Sequence, residues 1–222
     1  MQQGIDAFFD FDESAIVGQI ADTAFAPLEN RTRDLSHFVP VAEEVFQSYL
    51  NDLYRYDPTP LNAVVESTDE DLGVCRRERI TLDAAYPHER VIAYLFLPRN
   101  SRPPFQTVIF YPGSAVEMSA SSDDLEKDFQ FDLYLSFIVR NGRAVLYPVL
   151  KGTFERGDWA KYQVIDSDLS TRDFSEWLIM QIKDVFRCLD YLETRPDIDR
   201  QRLAYMGYSA GAWIAPVVLA LE

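Results

Sequence analysis

The stretch Leu203-Ala204-Tyr205-Met206-Gly207-Tyr208-Ser209-Ala210-Gly211, followed by Ala212-Trp213-Ile214-Ala215-Pro216-Val217-Val218-Leu219-Ala220-Leu221, carries the reading of this chain. An apolar, strand-compatible run leads into Gly-x-Ser-x-Gly, and an apolar, helix-compatible run leads out of it. A serine nucleophile needs that setting. On a tight strand-to-helix turn, glycines tolerate the strained backbone, the hydroxyl projects freely, and the helix start offers an amide to an oxyanion. The three fixed positions would match by chance in roughly 0.07 of chains this long at average usage, so the flanking strand and helix add the weight. Ser209 is thus the candidate nucleophile, Gly207 and Gly211 the turn glycines, and the Ala210 backbone N–H a candidate oxyanion donor.

Working back from the serine, Phe174, Leu178, Ile182, Val185, Leu189 and Leu192 recur at helical spacing, with charges on the other faces and Pro196 as a stop. The spacing predicts a helix over 174–193. Residues 144–147 and 107–111 read as continuous apolar strands of a buried parallel sheet. Residues 131–140 read as a helix closed by Asn141-Gly142. Residues 74–83 and 91–97 are β-rich and separated by a turn, which predicts an antiparallel hairpin. Strands 107–111, 144–147 and 203–206 are expected to be mutually parallel, with helices on both faces.

Open sheets of this kind bind ligands at the carboxyl ends of their strands. The loop Tyr111-Pro112-Gly113-Ser114-Ala115 leaves such an end, and its glycine permits close backbone approach. The Ser114 amide is therefore the second candidate oxyanion donor. A second loop, Lys151-Gly152-Thr153-Phe154-Glu155-Arg156-Gly157-Asp158, reads as solvated and receives no catalytic role. Asp123, Asp124, Glu126 and Asp128 read as a helix start with a solvated face, so no metal is expected.

A serine needs a base, commonly a histidine oriented by a carboxylate, and in this arrangement the acid and histidine follow the serine. Between Ser209 and Glu222 there is neither a histidine nor another acid before the last residue. The two histidines, His37 and His88, lie elsewhere. His88 sits in the predicted hairpin turn, about three strands or 14 Å from the serine strand, beyond side-chain reach. The base and acid are expected beyond Glu222.

Composition narrows the partners. With 47% hydrophobic and 14% aromatic residues, 222 residues suffice for one sizeable core. The net charge, 21 − 36 = −15, argues against nucleic acid and anionic membrane surfaces. The N-terminus lacks the basic and apolar regions of a signal peptide, and no apolar run is long enough to span a bilayer. Cys75 and Cys188 are read as unpaired buried thiols, which fits a cytoplasmic location. Residues 15–24 are expected to form a short helix. Ala42, Phe46, Tyr49, Leu50 and Leu53 form an apolar stripe that ends at Asp57-Pro58-Thr59-Pro60 and requires a covering surface.

The blocks Gln106-Thr107-Val108-Ile109-Phe110-Tyr111-Pro112-Gly113 and Asp190-Tyr191-Leu192-Glu193-Thr194-Arg195-Pro196-Asp197-Ile198-Asp199, with Gly-Tyr-Ser-Ala-Gly, resemble the dienelactone-hydrolase and prolyl-oligopeptidase branch of the α/β hydrolases. Thr59-Pro60-Leu61-Asn62-Ala63-Val64-Val65-Glu66 and Val91-Ile92-Ala93-Tyr94-Leu95-Phe96-Leu97-Pro98 further resemble hydrolase domains attached to some bacterial serine/threonine kinases. The resemblance spans roughly residues 41–222. It implies an α/β-hydrolase fold with a mostly parallel sheet, and over 71–222 the N-terminal part of a hydrolase domain whose last strands are missing; the helical spacing before it makes 1–70 an expected N-terminal helical extension. The resemblance also implies a serine hydrolase acting on a small ester or peptide without a cofactor, and an attached kinase domain as a possible partner. A non-catalytic interaction or regulatory module retaining part of that fold is the alternative.

Overall fold

The computed structural model describes residues 39–70, 72–157 and 172–221. The expected helix over 15–24, His37 and Asp158 lie outside the described residues. The chain divides into two units, Met1–Ala42 and Glu43–Glu222, and only the second is described below.

Six strands form one sheet: β1 (Val64–Asp69), β2 (Cys75–Asp83), β3 (Arg90–Pro98), β4 (Phe105–Tyr111), β5 (Ala144–Val149) and β6 (Ile198–Gly207), in the order β1-β2-β3-β5-β4-β6. The expected hairpin is β2 and β3, paired antiparallel from Cys75↔Pro98 to Asp83↔Arg90. β4 runs parallel to both β5 and β6, as their continuous apolar character predicts. β3 joins this parallel core antiparallel, through Tyr94↔Tyr147. β1 is an additional edge strand on β2, with an irregularity between Val65 and Ser67.

The helices are α1 (Glu43–Tyr49), α2 (Ser136–Arg140), α3 (Arg172–Glu193) and α4 (Ala210–Leu221). Strand alternation sorts the core into two layers. On one face Val91, Ala93, Leu95, Leu146 and Ile109 meet Ile182, Val185 and Leu192 of α3 and Ile214 and Val218 of α4. On the other, Tyr94, Phe96, Phe110, Val145 and Tyr147 meet Phe131, Leu135, Ile138 and Val139. The expected helix over 131–140 is a π-type turn, Phe131–Leu135, continued by α2. It ends as the Asn141-Gly142 pair predicts: Gly142 adopts φ +78, and its N–H reaches the Val139 carbonyl at 3.0 Å.

The apolar stripe of α1 is not covered as expected, for none of that helix's residues is buried. Contact with the core comes instead from Tyr54, Tyr56 and Leu61 just after it. That segment is held by Arg187 of α3, whose buried guanidinium donates to the carbonyls of Asp83 (3.0 Å) and Thr59 (3.1 Å) and to Asp190 (2.9 Å). Cys75 and Cys188 are free, buried thiols. Among the described residues no helix is long and apolar enough to cross a membrane.

Candidate active site

Register places the site. Tyr111, the last residue of β4, lies beside Gly207, the last of β6. The two strands are parallel, so the loops that follow them leave the same sheet edge side by side. The Tyr208 N–H donates to the Tyr111 carbonyl at 3.1 Å and extends the pairing one residue past β6. Ser209 then turns the chain with φ +50, in the left-handed region that a non-glycine residue rarely adopts. The turn is locked by Gly211 N–H donating to the Tyr208 carbonyl (2.9 Å) and Trp213 N–H to the Ser209 carbonyl (3.0 Å).

Both turn glycines are required by close approach. A Cβ on Gly207 would collide with the backbone of Gly211 and Ala212, and one on Gly211 with the Tyr111 carbonyl. The start of α4 therefore presses directly onto the end of β4. Gly113 meets the same constraint from the other loop, since a Cβ there would stand 2.8 Å from the Tyr208 ring and 3.3 Å from the Ser209 Cβ.

Ser209, Ala210, Ser114 and Gly113 line one cavity of about 430 Å³. Ala210 is the first residue of the twelve-residue α4, and Ser114 the first of a 3₁₀ turn, Ser114–Met118. A residue in that position has an N–H without an acceptor in its own helix. The Gly113 N–H, in contrast, is occupied: it donates to the buried Gln130 side-chain carbonyl at 3.0 Å. The ring of Tyr208 stacks on Tyr134, with centroids 4.5 Å apart.

The rest of the lining was not legible in the sequence. Phe174, Trp177, Leu178 and Gln181 come from α3, Trp213 from α4, and Leu150 and Thr153 follow β5. Gln181 accepts a hydrogen bond from the Tyr111 hydroxyl and donates to the Lys151 carbonyl at 2.8 Å. Trp177 packs over Gly152, where φ is +83 and a Cβ would strike the indole. Glu117 completes the wall, and burial lifts its carboxyl pKa to about 7. These residues carry no sequence motif, because four separate segments meet only once the sheet is assembled.

The loop over 151–157 departs from the expectation of a solvated segment. The Arg156 side chain is only 7% exposed and donates to Asp184 of α3 at 2.5 Å, to the Val149 carbonyl at 2.7 Å and to the Tyr86 hydroxyl at 2.5 Å. Asp184 is fully buried and also accepts from the Tyr86 hydroxyl (2.8 Å) and the Lys151 N–H (2.8 Å). Arg156 and the Lys151 amide thus tie this loop to α3, which also lines the cavity. In the acidic cluster, Glu126 pairs with Arg77 at 2.5 Å and Asp124 with Lys127 at 2.8 Å. Among the described residues no group of three His, Cys, Asp or Glu side chains is placed to hold a metal. His88 does not line the serine cavity. It lines a separate depression with Arg55, Asp57 and Lys183.

No protein-family model matches the chain, and no curated protein matches it by sequence. Solved structures do. A Bacteroides fragilis protein assigned as an acetyl xylan esterase superposes with a TM-score of 0.62 at 18% identity, over 81% of this chain and 50% of that one. Acetyl xylan esterase 1 from Thermoanaerobacterium gives 0.57 at 16% identity, over 81% and 55%. The glucuronoyl esterase from Solibacter usitatus gives 0.55 at 17% identity, over 81% and 54%. The chain has an α/β-hydrolase fold. It spans about half the length of these hydrolase structures. The Gly207-to-Gly211 turn lies at the carboxyl end of β6, beside the end of the parallel strand β4.

Proposed function

We propose that this chain carries the nucleophile of a serine esterase. Ser209 attacks the carbonyl carbon of a small ester, and the amides of Ala210 and Ser114 receive the oxyanion. The observation that carries this reading is the strained φ of Ser209 at the mouth of a cavity also lined by both amide-bearing residues. The N-terminal end of α4 adds partial positive charge where negative charge would develop. The neighbouring structures are esterases by name, which favours an ester over a peptide bond. Gly207 and Gly211 serve as the turn glycines, since no larger residue fits either place.

The proton acceptor comes from outside the described residues. His88 faces another depression, His37 is not described, and in hydrolase chain order the acid and the histidine follow the serine. We therefore place them in residues following Glu222. The test is nitrophenyl-ester turnover by the 222-residue chain, its Ser209→Ala variant and a polypeptide extended past Glu222. The extended polypeptide should turn over ester and lose about 10⁴-fold or more on Ser209→Ala. The 222-residue chain should be severely impaired, keeping a rate roughly 10³ to 10⁴ over water from the oxyanion donors and binding alone. An extended polypeptide whose turnover survives Ser209→Ala would overturn the assignment of the nucleophile.

A further inference from the structure

We propose that Glu117, together with Trp177 and Trp213, forms a subsite beside Ser209 for a cationic ammonium group. This gives a substrate class to the esterase reading above, that of an ester bearing an ammonium group. The subsite itself rests only on the cavity.

Glu117 stands apart from four other acids of this domain, each of which has a partner. Glu78 pairs with Arg195 at 2.6 Å, Asp184 with Arg156 at 2.5 Å, and Glu126 with Arg77 at 2.5 Å. Glu155 holds the Ser122 hydroxyl at 2.7 Å and lies 3.6 Å from Arg79. Glu117 is half-buried in the serine cavity and has neither a cation nor a hydrogen-bond donor among the described residues. Among the described residues no Lys, Arg or His lines that cavity. A carboxylate displaced from water without a partner raises the free energy of the ionised form. Any group that supplies a positive charge at that place restores the ionised form and is held by it.

The remaining wall suits the same ligand. Phe174 and Trp177 present a tilted aromatic pair with centroids 5.4 Å apart, and Trp213 faces the cavity from the neighbouring helix. Aromatic faces attract cations through their quadrupole, and tryptophan does so most strongly. The net charge of −15 draws cations toward the molecule and repels anions. A neutral polyol would hydrogen-bond to the carboxyl group but would leave its charge unopposed, so the ammonium group is the better match.

Choline and its uncharged isostere 3,3-dimethylbutan-1-ol separate charge from shape. Binding of each to the 222-residue chain at pH 8, followed by tryptophan fluorescence, should favour choline by about ten-fold. Glu117→Gln, with its fold checked by circular dichroism, should bring the two affinities to within about two-fold. Trp213→Leu should weaken choline more than the isostere, while Ser209→Ala should leave the choline preference in place. Equal binding of the two alcohols, or a preference unchanged by Glu117→Gln, overturns the proposal. Binding of xylose with no response to choline overturns it in favour of a polyol site. A choline preference in a protein whose extended form shows no Ser209-dependent turnover would retain the subsite and sink the esterase reading alone.

Discussion

Asp184 on α3 and Glu117 in the turn after β4 are the two carboxyl groups among the described residues whose pKa burial raises. Their surroundings differ. Asp184 is completely buried, yet the Arg156 guanidinium, the Tyr86 hydroxyl and the Lys151 amide all donate to it and work against that rise. Glu117 keeps partial contact with water and has no ion-pair or hydrogen-bond partner among the described residues, with desolvation the one cause of its shift. The first carboxylate ties the 151–157 loop, the β2–β3 turn and α3 into one support. The second is left open on the cavity side. A buried charge surrounded by donors is a structural joint, and one left without them inside a cavity marks a place for a ligand.

The largest expected effect comes from breaking the joint on one side. Asp184→Ala leaves the Arg156 side chain buried without its counter-ion and should cost about 3–5 kcal/mol in urea denaturation. Asp184→Leu combined with Arg156→Met should recover much of that loss, because no uncompensated charge remains. If the double variant is as unstable as the single, the joint works through packing and not through charge.

Tyr86→Phe probes the same joint more gently. It removes a hydroxyl that donates to Asp184 and accepts from Arg156, and should cost about 2 kcal/mol. A loss below about 0.5 kcal/mol would show that the two ionised groups need no bridging hydroxyl.

Glu117→Gln should have the opposite sign. The folded carboxyl keeps its proton up to about pH 7, whereas its reference value is 4.5, so between those values the folded state binds more protons than the unfolded. Stability of the natural chain therefore falls as pH rises from 4.5 to 7 on account of this group. At pH 8 the glutamine variant should be more stable, by of order 1 kcal/mol once water's access to the group is allowed for. The gain should vanish near pH 4. Thermal unfolding of both proteins from pH 4 to pH 8 tests this, and a gain that does not grow with pH would show that Glu117 is compensated.

Glu89 gives the smallest effect. It is partly exposed, pairs with Lys151 and lies 3.4 Å from Arg156 at the edge of the joint. Glu89→Gln should cost less than about 1 kcal/mol and respond to salt, as exposed pairs do. A larger, salt-independent loss would extend the buried network out to this residue.

The strained turn at Ser209 was legible because its constraints are local. The two backbone crossings at Gly207 and Gly211 each demand glycine, and they bracket Ser209 at φ +50 within a five-residue window. The strands and α3 were legible for a similar reason, since alternation and helical spacing follow from which neighbours in the chain face the core. The sequence missed β1, whose place on the sheet depends on β2 lying free beside it. It also missed the π-type opening of the 131–140 segment, which shares its apolar spacing with an ordinary helix.

By itself, then, the sequence determined the parallel core, the covering helices and the serine on its strained turn. Each rests on short-range geometry, in which the residue type at a position is limited by its immediate neighbours. Only the tertiary structure decided that the Arg156 side chain is buried against Asp184 and not solvated, that Gln130 occupies the Gly113 amide, and that Glu117, Trp177 and Trp213 share a cavity with Ser209. Those relations join residues tens of positions apart, and no local preference of a glutamate or tryptophan records them. The assembled sheet brings the segments together, and the loss of water between them then sets which charges must be paired and which remain open.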